Sequence, residues 1–148
     1  MSLQQEVMTK LKEAMKAKDK VALESLRAIK SALLLAQTSG DSADFTEADE
    51  IKLVQKLVKQ RKDSAALYLE QNRKDLAEPE LAQVVILEQF LPKQMSAEDL
   101  KKVIASIIKK AGATSMKDMG KIMGMASKEL AGKSDGKAIS NVVKELLG

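Results

Sequence analysis

LPKQMSAEDLKKVIASIIKKAG, residues 91–112, contains a stop, a start and one complete amphipathic helix. Pro92 has no backbone N–H and stops the helix that precedes it. Ser96, with Asp99 three positions on, is a helix N-cap signature. Leu100, Val103, Ile104, Ile107, Ile108 and Ala111 then recur at three- and four-residue spacing, which gives a helix one apolar face. Gly112 stands where a left-handed residue closes such a helix. A boundary followed by a self-contained helix splits the chain, and the same grammar repeats on both sides of it.

Upstream, Ser2 with Gln5 makes a capping box for a first helix to about Ala17. Asp19 caps a second, in which Leu23, Leu26, Ala28 or Ile29, Leu33 and Leu34 keep helical spacing. The polar stretch TSGDSAD (38–44) reads as a surface loop. Thr46 with Asp49 opens a long third helix through KLVQKLVKQRKDSAALYLE. Pro79 fits the first turn of a fourth, which carries VVILEQFL to Pro92. Downstream, Ser115 with Asp118 starts another helix that Gly132 ends. Ile139, Val142, Val143, Leu146 and Leu147 form one face of the last. No run alternates as a strand would, so the fold class is all-α. We expect a four-helix N-terminal domain over 1–93 and a three-helix C-terminal domain over 94–148. The second is near the lower size limit for an independent core.

Composition narrows the chemistry. The 148 residues are 45% hydrophobic and 31% charged, as in a globular protein, with only three aromatics: Phe45, Tyr68 and Phe90. Any core is therefore aliphatic. Cys and His are both absent, which removes disulfides, thiol nucleophiles, Cys/His zinc sites and the usual base of Ser hydrolases. No pair of carboxylates stands out as an acid/base couple, and no cofactor or metal is expected. MSLQQEVMTK lacks the apolar run of a signal peptide, and no 18 consecutive apolar residues occur. The expected setting is cytoplasmic and free of the membrane.

The net charge of +4 is unevenly placed. Residues 1–96 hold 15 Lys and Arg against 15 acids, whereas residues 97–148 hold 10 lysines against 6 acids. The C-terminal third is thus the part suited to an anionic partner, or the excess simply aids solubility.

Within that third, GKIMGMASKELAGKSDGK (120–137) carries four of the seven glycines beside four lysines. Gly132-Lys133-Ser134 resembles the end of a nucleotide phosphate loop. Ser127 stands where the first glycine is needed, however, and no strand leads in. On a helical wheel Lys117, Lys128 and Lys121 fall within about 40° of one another, with Gly124 and Gly120 within about 60° of Lys117 on the other flank. Met116, Met119, Met123, Ala126 and Leu130 gather opposite, as core filler. Lys137, Asn141 and Lys144 make a second ridge on the last helix. SDGK (134–137) joins the two ridges and leaves free amides at a helix start, a place that favours anions.

Two readings remain open on spacing alone. Gly120 and Gly124 form a small-xxx-small pair that lets another helix pack closely, with the lysines as its solvated face. Alternatively, the ridge meets an anion and the glycines let it approach. Lys52, Lys56, Lys59 and Lys62 repeat along the third helix among acids and read as a solvated surface. Arg27 and Lys30 share a face of the second helix, to join a basic groove or to pair with acids.

LRAIKSAL (26–33), KLVKQRKDSAALY (56–68), ILEQFLPKQMS (86–96), GATSMKDMGKIMG (112–124) and GKSDGKAISNVVKELL (132–147) resemble the GatB/YqeY family over essentially the whole chain. The C-terminal third is similar to the tail domain of the B subunit of the glutamine-dependent tRNA amidotransferase, a helical module that contacts tRNA. The resemblance implies a helical N-terminal domain, a three-helix tail-like module and a link to tRNA amidation. The family carries the label of carbon–nitrogen ligase with glutamine as amido donor. The B subunit's large catalytic domain has no counterpart here, and the amidase Ser-Ser-Lys centre is not visible. The tail-type pattern falls on Gly120, Lys121, Met123, Gly132, Lys133, Gly136, Lys137, Asn141 and Leu147.

The expected function is therefore a tRNA-binding accessory module without a catalytic centre of its own. Its expected contact set is Lys117, Gly120, Lys121, Gly124, Lys128, Gly132, Lys133, Gly136, Lys137, Asn141 and Lys144. So few aromatics leave no base-stacking platform, so recognition would follow backbone and duplex shape. The alternative is a protein-interaction module that docks on amidotransferase subunits or an aminoacyl-tRNA synthetase.

Overall fold

The computed structural model describes residues 2–39 and 45–148. Among the described residues all regular structure is helical, in seven α-helices and one 3₁₀ turn. The residues group into two compact units, Met1–Leu91 and Pro92–Gly148.

The first unit contains α1 (Leu3–Ala17), α2 (Lys20–Thr38), α3 (Glu47–Glu70) and α4 (Lys74–Glu88). The local start signals act as their chemistry dictates. The Ser2 hydroxyl accepts from the Gln5 N–H while the Gln5 amide accepts from the Ser2 N–H. Asp19 accepts from the Ala22 N–H at 3.1 Å, and Thr46 exchanges the equivalent pair with Asp49. Lys18, left-handed at φ 56°, turns the chain from α1 into α2. The loop expected over 38–44 lies mostly outside the described residues; Thr38 still belongs to α2.

α1 packs principally on α2, α2 also meets α3 and α4, and α3 lies along α4. Val7 and Leu11 of α1, Leu26, Ile29 and Leu33 of α2, Val54 and Val58 of α3, and Val84 and Leu87 of α4 share one aliphatic core. Ser25, also fully buried, donates its hydroxyl proton to the Val21 carbonyl at 2.8 Å. A polar chain crosses three helices at the edge of this core. Arg61 Nε donates to Gln83 Oε1 at 2.7 Å, and Gln83 Nε2 donates to Glu24 Oε2 at 3.0 Å.

α4 departs from the sequence expectation at both ends. It begins at Lys74, so Pro79 lies inside the helix and not in its first turn. The turn ahead of it explains the early start. Left-handed Asn72 (φ 57°) reverses the chain, and the Arg73 carbonyl then accepts from the Leu76 and Ala77 N–H groups. Pro79 leaves the Asp75 carbonyl without its helical donor. α4 ends at Glu88, short of Pro92. Gln89, Phe90 and Leu91 donate to carbonyls three residues back, a tight winding-down ahead of a proline that disfavours helix at Leu91.

The second unit contains α5 (Ala97–Ala111), a 3₁₀ turn (Met116–Asp118), α6 (Met119–Glu129) and α7 (Gly136–Leu147). Ser96 caps α5 by accepting from the Asp99 N–H, and Gly112 closes it at φ 67°. Leu100, Ile104 and Ile107 meet Ile122, Ala126 and Leu130, and both rows meet Ile139, Val143 and Leu147. The core face of α6 is therefore centred on Ile122. Ala126 and Leu130 are buried in this core and Met119 and Met123 pack against it as expected, whereas Met116 is exposed, which corrects its assignment to the core. Ser115 makes no cap hydrogen bond, and the first turn after it is 3₁₀.

Candidate nucleic-acid interface

α6 is short and its inner face is committed to Ile122 and Ala126. At a helical repeat of about 100° per residue, this commitment turns Gly120, Lys121, Gly124 and Lys128 outward. All four are exposed. On α7 the buried row Ile139, Val143 and Leu147 likewise leaves Lys137, Asn141 and Lys144 exposed.

Lys117 is exposed too, but it belongs to the 3₁₀ turn ahead of α6. That turn winds at about three residues per turn, so a wheel drawn through 115–130 as unbroken α-helix extends one turn beyond α6. Among the described residues, none of Lys117, Lys121, Lys128, Lys133, Lys137 and Lys144 forms an ion pair; in this unit Lys101 does, with Glu145 at 2.9 Å. These cations are thus not neutralised locally. In the first unit, by contrast, Lys62 pairs with Glu88 at 3.2 Å. Lys52, Lys56, Lys59, Arg27 and Lys30 are exposed.

The glycines divide into two kinds. Among the described residues, a Cβ at Gly120 or Gly124 would meet no heavy atom within 4 Å outside its own stretch of helix, and neither has a positive φ. Neither helix packing within the chain nor backbone conformation therefore requires a glycine there. A glycine in a helix interior costs about 1 kcal/mol against alanine, so both sites weaken α6 with no internal compensation. Gly136 is exposed at the start of α7 with equal room.

Gly132 is the opposite kind. It is buried and left-handed at φ 79°. Its carbonyl accepts from Gln94 Nε2 at 2.7 Å, and the next carbonyl, of Lys133, accepts from the Met95 N–H at 3.0 Å. Gly132 shapes the turn from α6 to α7 and offers no surface. Gln94, unremarked in the sequence because its partner is remote, is the residue that pins this turn.

At SDGK one amide is taken up by a cap, while the Gly136 and Lys137 N–H groups have no acceptor among the described residues. Asp135 caps α7, accepting from the Ala138 N–H at 2.7 Å. Its carboxylate occupies the helix start and sets a negative charge between Lys133 and Lys137. Among the described residues no group of three or more His, Cys, Asp or Glu could hold a metal ion. No helix among the described residues is long and apolar enough to cross a membrane.

Comparison with known proteins assigns the family. The family model described as Yqey-like protein matches residues 4–147, and the chain belongs to that family. Among curated relatives, altered inheritance of mitochondria protein 41, mitochondrial, of Vanderwaltozyma polyspora is 29% identical over 116 residues. That match covers 74% of this chain and 62% of the relative. The protein of the same name from Lachancea thermotolerans is 35% identical over 81 residues, covering 55% of this chain and 43% of the relative. An uncharacterized protein of Schizosaccharomyces pombe is 32% identical over 95 residues, covering 64% of this chain and 76% of the relative. The chain thus spans about half the length of the first two relatives.

Proposed function

We propose that the second unit is a docking module for an RNA backbone, with tRNA as its ligand, and that the protein assists tRNA amidation without a catalytic centre of its own. The observation that carries this reading is the outer face of α6. Gly120 and Gly124 stand there with open space above them, beside Lys121 and Lys128, which no acid neutralises among the described residues. Glycines that their own chain does not need are intelligible if a partner comes close to the helix, and the lysines give that partner its sign. A polyphosphate backbone meets both conditions. The tRNA and its link to amidation come from the resemblance to the amidotransferase tail domain.

The test is fluorescence anisotropy of the purified chain with tRNA across a salt series. Four to six lysine–phosphate contacts give a log–log slope of about −3 to −5. A Lys121→Glu/Lys133→Glu/Lys137→Glu variant with native helicity should lose binding. A variant that binds as the native protein does would sink the reading. A protein-docking role is favoured by one observation, the exposure of Met116 and Met125. That alternative expects capture of an amidotransferase subunit or a synthetase, weak salt dependence, and sensitivity to Met125 and not to charge reversal.

A further inference from the structure

α4 is apolar on two sides. Its inner residues Ala77, Val84 and Leu87 are buried, yet Leu81 and Val85, one turn apart on the outer side, are 42% and 62% exposed. The same stripe continues one turn further to Gln89, and Gln89 lines a groove of about 250 Å³. The floor and walls of this groove are Ala14 and Ala17 of α1, Ala22 and Leu26 of α2, and Ile86 of α4. Three alanines make it hollow. Lys10, Glu13 and Asp19 stand around it, and Lys10 and Glu13 form no ion pair among the described residues.

We propose that a second copy of this chain covers this face: Val85 of each copy enters the alanine-lined groove of the other, giving a two-fold symmetric dimer. A symmetric interface requires one patch to carry both halves of the contact. Here the projecting side chain and the hollow lie on one stripe of α4, joined through Gln89. The rim meets the same requirement for charge. Lys10 and Glu13 carry opposite signs one turn apart on α1, and a two-fold axis passing between them sets Lys10 of each copy against Glu13 of the other. This surface lies in the first unit, so it stands or falls separately from RNA docking by the second.

The experiment is sedimentation velocity of the full chain from micromolar to near-millimolar concentration, without nucleic acid. The expected result is a concentration-dependent rise from the 16.1 kDa monomer to twice that mass. Val85→Lys buries a charge at the contact and Ala17→Leu fills the hollow from within. Both positions are exposed, so both variants should keep native helicity while the dimer weakens at least about tenfold. Lys10→Glu should weaken it too, and Lys10→Glu/Glu13→Lys should restore it. A native chain that stays monomeric throughout would overturn the proposal. So would Val85→Lys and Ala17→Leu variants that dimerise as the native chain does, or a double charge swap that fails to recover what the single swap loses.

Discussion

Gln94 Nε2 donates to the carbonyl of Gly132 at 2.7 Å, tying the segment before α5 to the turn between α6 and α7. Gly132 presents this carbonyl from a left-handed turn, at φ 79°. Gly132→Ala forces a Cβ into that region at a cost of about 1–2 kcal/mol. Gln94→Ala removes one hydrogen bond, worth about 1 kcal/mol. Thermal melts followed by circular dichroism should show both losses in the second unit. Equal melting of the Gly132→Ala variant and the native chain would show that the turn does not need its glycine.

Gly120 and Gly124 should behave in the opposite sense. Alanine at either position meets open space, so Gly120→Ala and Gly124→Ala should each stabilise α6 by about 1 kcal/mol. If an RNA backbone comes close to this face, the same substitutions weaken tRNA binding. Raised stability with lowered affinity is the expected pair of results from melting and anisotropy. Raised stability with unchanged affinity would remove the glycines from the interface.

Asp135 holds the start of α7 but places a carboxylate between two lysines of the proposed surface. Asp135→Asn keeps a side-chain oxygen for the Ala138 N–H and removes the charge. Affinity for tRNA at low salt should rise about twofold to threefold, and the gain should fade as salt screens it. A loss of affinity would mean that Asp135 contributes something other than its cap.

The helix starts of the first unit give a pH dependence with a definite sign. The Thr46 N–H and hydroxyl donate to the Asp49 carboxylate, and these bonds hold its pKa below the ordinary aspartate value. Arg73, paired with Asp75 at 3.0 Å, lowers Asp75 in the same direction. A depressed folded-state pKa means stability that is fully present above the ordinary aspartate value and lost as pH falls through the folded one. Denaturant unfolding at about pH 6 and about pH 3 should show this loss. Asp49→Asn should be weaker at the higher pH and less sensitive to acid; an unchanged pH profile would refute the assignment.

Ile104 and Ile122 are wholly buried in the second unit, whose core is a single layer of aliphatic side chains. Ile104→Ala should cost about 2–5 kcal/mol, a large share of what a unit of this size can hold. Hydrogen exchange of the α5–α7 amides should accelerate accordingly. Slow, native-like exchange would mean that the core rests elsewhere.

What the sequence discloses here is what is local. The caps at Ser2, Asp19, Thr46 and Ser96 were legible because a cap bonds an N–H two or three residues away. The stripe from Leu100 to Ala111 was legible because one helix repeats its own face. The start of α4 was not, because Pro79 advertises a first turn while Asn72 and Arg73 begin the helix earlier without a side-chain cap. Met116 was misplaced because it belongs to a 3₁₀ turn, and a wheel assumes unbroken α geometry. Of the candidate contact set, the structure leaves all but Gly132 exposed and places Lys117 in the 3₁₀ turn that leads into α6. The groove beside α4 had no sequence signal, since its three alanines come from two helices whose packing creates the hollow.

The two-residue turn at Lys18 and Asp19 and the short one around Asn72 have a kinetic consequence. Each joins two helices that pack on each other, so α1 finds α2 and α3 finds α4 with little chain entropy to lose. Chains built from such near-neighbour contacts fold on the microsecond-to-millisecond scale. The packing of α2 on α4 spans α3 and so closes the longest loop of the unit, at the largest entropy cost. During synthesis on the ribosome the α1–α2 pair can therefore form while α4 is still inside the exit tunnel, and the first unit becomes complete only when the segment around Pro92 has emerged.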